Sequence, residues 1–550
     1  GGYALQLFVK DLRQETTIEL GTVSISETLT SGDSLLVDVP VNGVMPFKDA
    51  PVYAFVDSDN VITETDEDNN LAHHLVDCQM EPAEPGSFEP VLEWEWTGSE
   101  VLPTYNQVMS TPVAAQLTDD NGDGRITSQD VPDIVFSTWA RNRGYQQDGL
   151  LRAISGDGGH EIFPLTEDAA VYAAGSFNPT LGDIDRDGLV EILTLDRTSR
   201  RLIAIEHDGT LAWTSVDLTT LVDVSHTYYR ALYGLYEGII IANLDQSGPP
   251  EIILGNIVFN HDGTVRWIGS GGSGRIGQGI SCVANLDRAD TPEVIAGNTA
   301  YYADGSIAWQ NSAVGDGSCA VADLDGDTFP EVVIVASGHV YGLEPTGEVA
   351  WGPIDLPLSG TYRDSGGAPT IADFDRDGEP EIGVAGSSRY VVFESDGQIK
   401  WAQPIVDYSS HQTGSSVFDF DGNGQAEAVY MDEYYLRIFS GSDGTVLFQV
   451  PIGSGTGSEY PIILDVDADN NAEIVVPSNN HYRGPKTGIQ VYGDANDTWV
   501  NTRKIWNQHS YHITNVNDDG TIPQFEANSW DAHNTYRCNL SPDALACEDY

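Results

Sequence analysis

From residue 115 onward, short apolar strands alternate with turns dense in aspartate, and the order repeats. One unit, from Leu181, reads LGDIDRDGLVEILTLD; others are IANLDQSGPPEIILGN from Ile241, VANLDRADTPEVIAGN from Val283 and VADLDGDTFPEVVIVA from Val321. The series continues with ADFDRDGEPEIGVAG from Ala372, VFDFDGNGQAEAVYMD from Val417 and ILDVDADNNAEIVVPS from Ile463, and a longer copy, AQLTDDNGDGRITSQDVPDIVF, leads it from Ala115. In each copy an apolar strand enters an acidic turn and leaves it as a β-branched run of period two, the pattern of a buried strand. A second hairpin follows, as in RLIAIEHDGTLAWTS, NIVFNHDGTVRWIG, NTAYYADGSIAWQN, HVYGLEPTGEVAWGP and YVVFESDGQIKWAQ. Its Asp-Gly supplies the positive φ of a tight turn.

Four strands per unit predict an all-β chain whose unit is a propeller blade. Eight copies predict an eight-bladed β-propeller, seven blades with one irregular insertion being the alternative. The stretch VLEWEWTG, Val91–Gly98, reads as an outermost strand lying before the first copy, placed to complete the last blade and leave no sheet edge open.

The turns carry the chemistry. In the copy from Ala372, Asp373, Asp375, Asp377 and Glu381 crowd like charges together, which a cation offsets. All-oxygen ligation points to a hard ion, and a flexible set of several carboxylates favours Ca2+ over Mg2+.

The units resemble FG-GAP (VCBS-type) repeats, the calcium-loop propeller repeats also found in integrin alpha subunits and rhamnogalacturonan lyases, over roughly Val91 to Tyr511. The resemblance implies side-chain ligands at loop positions one, three, five and nine, and a backbone carbonyl at position seven. Carried over, complete sets are Asp183, Asp185, Asp187, Glu191 with the Leu189 carbonyl; Asp323, Asp325, Asp327, Glu331 with Phe329; and Asp373, Asp375, Asp377, Glu381 with Glu379. Two more are Asp419, Asp421, Asn423, Glu427 with Gln425, and Asp465, Asp467, Asp469, Glu473 with Asn471. The first loop, Asp119, Asn121, Asp123, Arg125 and Asp130, also matches EF-hand spacing with Gly124 at position six; Asp133 competes as its final ligand. Two loops depart: Asn243, Asp245, Ser247, Glu251 has lost charge, and Asn285, Asp287, Glu293 has Ala289 in place of a ligand. An acidic turn holding only water and sodium is the bland alternative for any one loop. Several Ca2+ ions, mainly structural, are expected.

Composition supports this picture. Of 550 residues, 84 are acidic and 25 basic, giving a formal net charge of -59. Such a surface repels nucleic acid and anionic membranes and draws in divalent cations. No run of 18 apolar residues exists, so no membrane insertion is expected. The start, GGYALQLFVKDLRQ, lacks signal-peptide order, as a mature exported protein does. Weak oxygen sites need the millimolar calcium found outside cells, so an extracellular bacterial location, secreted or at the cell surface, is expected. Five cysteines fit export: Cys282 with Cys319, on equivalent strands of consecutive repeats, and Cys538 with Cys547 are plausible bridges, free buried thiols being the alternative, and Cys78 is left over.

The flanks divide the chain further. DAPVYAFVDSDNVITETDEDNNLAHHLV, Asp49–Val76, resembles the closing strands of the bacterial cell-adhesion-related (CARDB-like) domain, an immunoglobulin-like β-sandwich, here as a fragment whose missing strands are expected before Gly1. The expected division is a partial sandwich over 1–79, a proline-stiffened linker over 80–90, the propeller over 91–513 and an aromatic-rich extension over 514–550. Around that last boundary, Trp506, His509, Tyr511, His512, Trp530 and His533 read as a buried plug sealing the last blade, with a zinc site as the weaker alternative.

A ligand face is expected opposite the acidic loops, in Trp139–Gly149, Ser225–Gly238, Ser359–Gly367 and Ser478–Lys486. Its candidates are Arg141, Arg143, Tyr145, Tyr229, Arg230, Tyr362, Arg363, Tyr482 and Arg483: arginine grips a carboxylate and tyrosine stacks on a sugar, which suggests an acidic glycan. The alternative is that these arginines pair with surface aspartates. Three functions follow: an adhesive or glycan-binding module of a longer chain, partnered by a glycan or surface protein and by other domains of that chain; a lyase of uronic-acid glycans using His481, Tyr482 and Arg483 or His226, Tyr229 and Arg230; and a structural subunit of an extracellular assembly. The first is favoured, with no catalytic residue assigned.

Overall fold

The structure is a computed structural model that describes residues 3–11, 16–26, 35–37, 39–40, 52–56, 71–74, 88–145, 148–221, 238–272, 280–289, 291–356 and 366–540. Among these residues it is all-β, with one four-residue α-helix, Ser529–Ala532. No helix among the described residues is long and apolar enough to cross a membrane.

Near the N-terminus, Thr16–Ile25, Tyr3–Asp11, Val52–Val56 and Leu71–His74 form one antiparallel sheet in that order. The rings of Phe8 and Tyr53 stack within it at 5.3 Å. The acidic turn between its last two strands lies outside the described residues.

Eight further sheets follow in chain order, one of six strands and seven of four. The second sheet shows the pattern: Thr180–Gly182, Glu191–Leu195, Leu202–Ile205 and Leu211–Thr214 pair as neighbours in sequence order. Its first three strands are buried at every residue, whereas the fourth is largely exposed. Hydrophobic runs therefore sit inside and the Trp-bearing strand outside, as the repeat predicts. The eighth sheet takes its first three strands from Ile462–Leu464, Glu473–Ser478 and Gly488–Asp494, and its fourth, Pro90–Trp96, from the other end of the series. The stretch singled out as an outermost strand thus pairs where the sequence suggested.

Consecutive sheets are joined by one repeated contact. Trp213, on the outer strand of the second sheet, lies beneath the hairpin turn of the third, where a methyl group on Gly263 (φ +77°) would come within 2.5 Å of its ring. Trp267, Trp309, Trp351 and Trp401 lie in the same way under Gly305, Gly347, Gly397 and Gly444 of the next sheet, and Trp94 of the eighth sheet lies under Gly159 of the first. The Asp-Gly turn and the terminal tryptophan are two halves of one inter-sheet joint. A second joint is covalent: Cys282 and Cys319, opening the fourth and fifth sheets, are bridged with Cα atoms 6.1 Å apart. Replacing both by alanine should cost about 2–4 kcal/mol and lower the melting midpoint by roughly 2–5 °C, read by calorimetry against the parent. Cys538 is a buried free thiol, and Cys78 and Cys547 lie outside the described residues.

Residues 501–540 run along the first strands of all eight sheets. Trp506 pairs with Ala114, the Leu181 amide donates to Asn507, the Ile241 amide to the Gln508 side chain, and the Ser510 hydroxyl donates to Ser281. The Arg537 guanidinium donates to Cys319, Tyr536 pairs with Ile371, the Val417 amide donates to Arg537, and the Asn539 amide group donates to Ile463. The aromatic segment does more than seal the last sheet; it is hydrogen-bonded to every sheet.

Candidate metal centre

In the second to eighth sheets the acidic turn joins the first and second strands, and in the first it joins Val113–Ala115 to Asp133–Ala140, so each turn precedes the same strand of its sheet. Their backbone is set by two left-handed residues, Arg186 and Gly188 in the second sheet and Arg376 and Gly378 in the sixth. The first aspartate ties the turn: Asp183 Oδ2 accepts from the Gly188 amide at 3.1 Å, Asp373 Oδ2 from Gly378 at 3.0 Å and Asp419 Oδ2 from Gly424 at 2.7 Å. Where asparagine stands first the polarity inverts, and Asn243 Nδ2 donates to the Gly248 carbonyl at 3.0 Å.

One oxygen of the closing glutamate holds the loop: Oε2 of Glu191, Glu251, Glu293, Glu331, Glu381, Glu427 and Glu473 accepts from the backbone amide seven residues earlier. In the second and fifth loops the other has no partner, and in the eighth loop an oxygen of the first aspartate has none. Glu191 Oε1, Glu331 Oε1 and Asp465 Oδ1 are buried with no hydrogen-bond partner, in residues only 2%, 3% and 2% exposed. Orphaned buried carboxylate oxygens are costly, and a hard cation satisfies several at once. Burial, ahead of the neighbouring aspartates' repulsion, pushes Glu191, Glu331 and Glu427 up to about 8 and Asp419 up to about 6. In the eighth loop Asp465, Asp467 and Glu473 are all raised, again by burial first.

Four loops bring their carboxylates together, with ligand atoms within 4.8 Å of one another: Asp183, Asp185, Glu191; Asp323, Asp325, Glu331; Asp373, Asp375, Glu381; and Asp465, Asp467, Asp469, Glu473. The donor set is all oxygen and suits Ca2+. Among the described residues the seventh loop does not gather three carboxylates that closely, nor does the first. In the first loop Asp130 accepts from the Asp120 and Asn121 amides, the place that glutamate takes elsewhere, while Asp133 turns to Leu117 and Thr118. The Tyr53 hydroxyl of the N-terminal sheet donates to the Asn121 carbonyl of this loop at 3.1 Å.

Among the described residues, two loops have a basic side chain paired with their carboxylates, and Lys504 places a further charge near Asp465 of the eighth. In the third sheet Arg266 binds Glu251 Oε1 and lies 2.7 Å from Asp245 Oδ2. In the sixth, Lys400 Nζ lies 2.5 Å from Asp375, 3.1 Å from Glu381 and 3.1 Å from Glu394. Reading the loops as linear motifs misses both, because each reaches in from the fourth strand; the available signal was the residue before that strand's tryptophan. It also misses the carboxylate just after the third strand, Glu394 on Lys400 and its counterpart Glu344, which lines one cavity with Asp325, Glu331 and Ala350.

At the opposite end of the sheets, Trp139, Tyr145 and His481 form an edge-to-face cluster with centroids 5.0–5.8 Å apart. Burial, then the Arg141 charge, lowers the His481 imidazole below its usual range. The Arg483 guanidinium lies 5.0 Å from the Tyr482 ring and 5.2 Å from that of Tyr434, with Tyr482 55% exposed. Arg143 instead pairs with Asp148, which Arg197 also binds. Tyr229, Arg230, Tyr362 and Arg363 lie outside the described residues, as does His226. The histidines of the C-terminal segment are engaged internally: His509 Nε2 meets the Ser458 carbonyl, and His512 Nε2 meets Glu526 while its ring stacks on Tyr536.

No family model and no curated protein sequence matches the chain. Among solved structures, it is similar to the V. cholerae biofilm matrix protein Bap1, at 22% identity and a TM-score of 0.71, covering 83% of this chain and 99% of that one. It is also similar to the rhamnogalacturonan lyase YesW and the exotype rhamnogalacturonan lyase YesX, each at 16% identity and a TM-score of 0.50, covering 89% of this chain and 85% of theirs. At these identities the likeness is one of fold.

Proposed function

We propose that the chain is a calcium-stabilised, extracellular adhesive or glycan-binding module, built as an eight-bladed β-propeller of FG-GAP type with part of a CARDB-like sandwich before it. The eight sheets in series, the outer strand Pro90–Trp96 borrowed by the last sheet, and the Trp94–Gly159 joint between the eighth and first sheets support closure into a ring. In this reading residues 1–79 belong with the sandwich, the linker of 80–90 gives Pro90 to the outer strand, and residues 514–540 belong with the propeller, through the bridges of Asp183 with Thr521 and Ile371 with Tyr536.

One observation carries the glycan reading: Arg483, flanked by the rings of Tyr482 and Tyr434, presents a planar cation and an exposed aromatic face together on a molecule of net charge -59. That pairing suits a polysaccharide with carboxylates, the guanidinium taking the acid and tyrosine the ring. That Bap1 is a biofilm matrix protein agrees with it. Calorimetric titration with acidic and neutral polysaccharides tests it. Binding to the acidic ones should fall at least roughly 10-fold in Arg483→Ala and in Tyr482→Ala, as loss of an interface anchor does; unaltered binding in both variants would refute it.

A second reading, a uronic-acid lyase, is favoured by His481, which clusters with Trp139 and Tyr145, adjoins Tyr482 and Arg483 in sequence, and is shifted by burial below its usual range, the direction that suits a general base. Unsaturated products, followed by their ultraviolet absorbance and lost in His481→Ala, would replace the binding reading with this one.

A further inference from the structure

In the third and sixth sheets the residue before the outer-strand tryptophan reaches the carboxylates of the acidic loop. Six of these tryptophans hold the same register against the third strand: Trp213 opposite Ala204, Trp267 opposite Val258, Trp309 opposite Ala300, Trp351 opposite Gly342, Trp401 opposite Val392 and Trp94 opposite Val491. The residues before them are Ala212, Arg266, Ala308, Ala350, Lys400 and Glu93, Ala308 belonging to the fourth loop, which has Ala289 in place of a ligand.

We propose that Arg266 and Lys400 are resident cations that take the place of a metal ion at the third and sixth loops, while the second and fifth loops, with alanine at that position, hold a divalent cation of calcium type. The two basic groups touch the same pair of ligands, the carboxylates of positions three and nine: Asp245 and Glu251 in one loop, Asp375 and Glu381 in the other. The matching oxygens of the second and fifth loops, Glu191 Oε1 and Glu331 Oε1, are buried and have no partner. Ala350 lines the cavity of the fifth loop with Asp325 and Glu331, so a longer basic side chain there has the same carboxylates within reach. The sixth loop makes the point most clearly, since its motif is complete and yet its carboxylates close on Lys400, one of only five lysines in the chain. A tethered ammonium enters without losing the freedom of a dissolved ion, and a divalent cation arriving beside it meets repulsion in place of attraction.

This rests on the calcium reading above, and one experiment separates the two. Native mass spectrometry of the intact chain with Ca2+ counts tightly held ions, with circular dichroism confirming the fold of each variant. Lys400→Ala, and Lys400→Met as a variant that keeps the apolar stem, should each hold one ion more than the parent; Ala350→Lys should hold one fewer. A parent that holds ions, with all three variants unchanged in count, overturns the resident-cation proposal alone. A parent and variants that hold none overturn the calcium reading with it.

Discussion

Removing divalent cations with a chelator should lower the thermal midpoint by roughly 10–20 °C at pH 8 and by far less at pH 5. The argument starts from the buried carboxylates. Glu191, Glu331 and Glu427 are pushed up to about 8, chiefly by burial, from 4.5. Without metal, the folded chain therefore holds more protons than the unfolded one between those two values, and stability falls as pH rises through that window. Below about pH 4.5 both states are protonated and the penalty is absent. A divalent ion reverses this, because it needs the ionised form and competes with protons. Each site filled at a hundred times its dissociation constant adds about 2.7 kcal/mol. Melting curves from pH 5 to 8, with and without Ca2+, should thus diverge as pH rises. Parallel curves would mean that the loops hold no functional cation.

Losing the C-terminal segment should be more damaging still. A chain ending at Trp499 should fail to fold, giving insoluble protein or a circular dichroism spectrum without a cooperative melt. Carbonyls and amides in or beside the first strands of the eight sheets would lose partners, among them those of Ala114, Ile371 and Ile463, which are fully buried. The point variant Trp506→Ala keeps the backbone and tests the packing. Trp506 is fully buried and stacked on Tyr511 at 4.3 Å, so its removal should cost about 3–5 kcal/mol in chemical denaturation. Arg537→Met should be comparably harmful, since its guanidinium donates to the His509, Cys319 and Pro369 carbonyls from a site with no exposure.

The repeats were legible because their information is local. Asp183, Asp185, Gly188 and Glu191 lie within nine residues and fold on each other through amide–carboxylate bonds, so spacing alone locates the turn and the strands on either side. The strand Val91–Gly98 and the Cys282–Cys319 bridge were legible because a repeat fixes which positions are equivalent. The charge balance of a loop was not. Lys400 lies 19 residues beyond Glu381 yet binds it, because two strand reversals carry it back; a motif read in one direction counts Asp373, Asp375 and Glu381 and leaves out the ammonium between them. The central segment was hidden for a related reason. Trp506 and Tyr536 announce burial, but no pattern within residues 501–540 says that their partners are Ala114 and Ile371.

The central claim is that divalent cations occupy a defined subset of these loops, and anomalous diffraction from crystals grown in calcium tests it most directly. Peaks should appear between Asp183, Asp185 and Glu191, between Asp323, Asp325 and Glu331, and within Asp465–Glu473, with Arg266 and Lys400 in place of a peak in the third and sixth loops. A map with no peak at any of these carboxylate clusters would contradict the account.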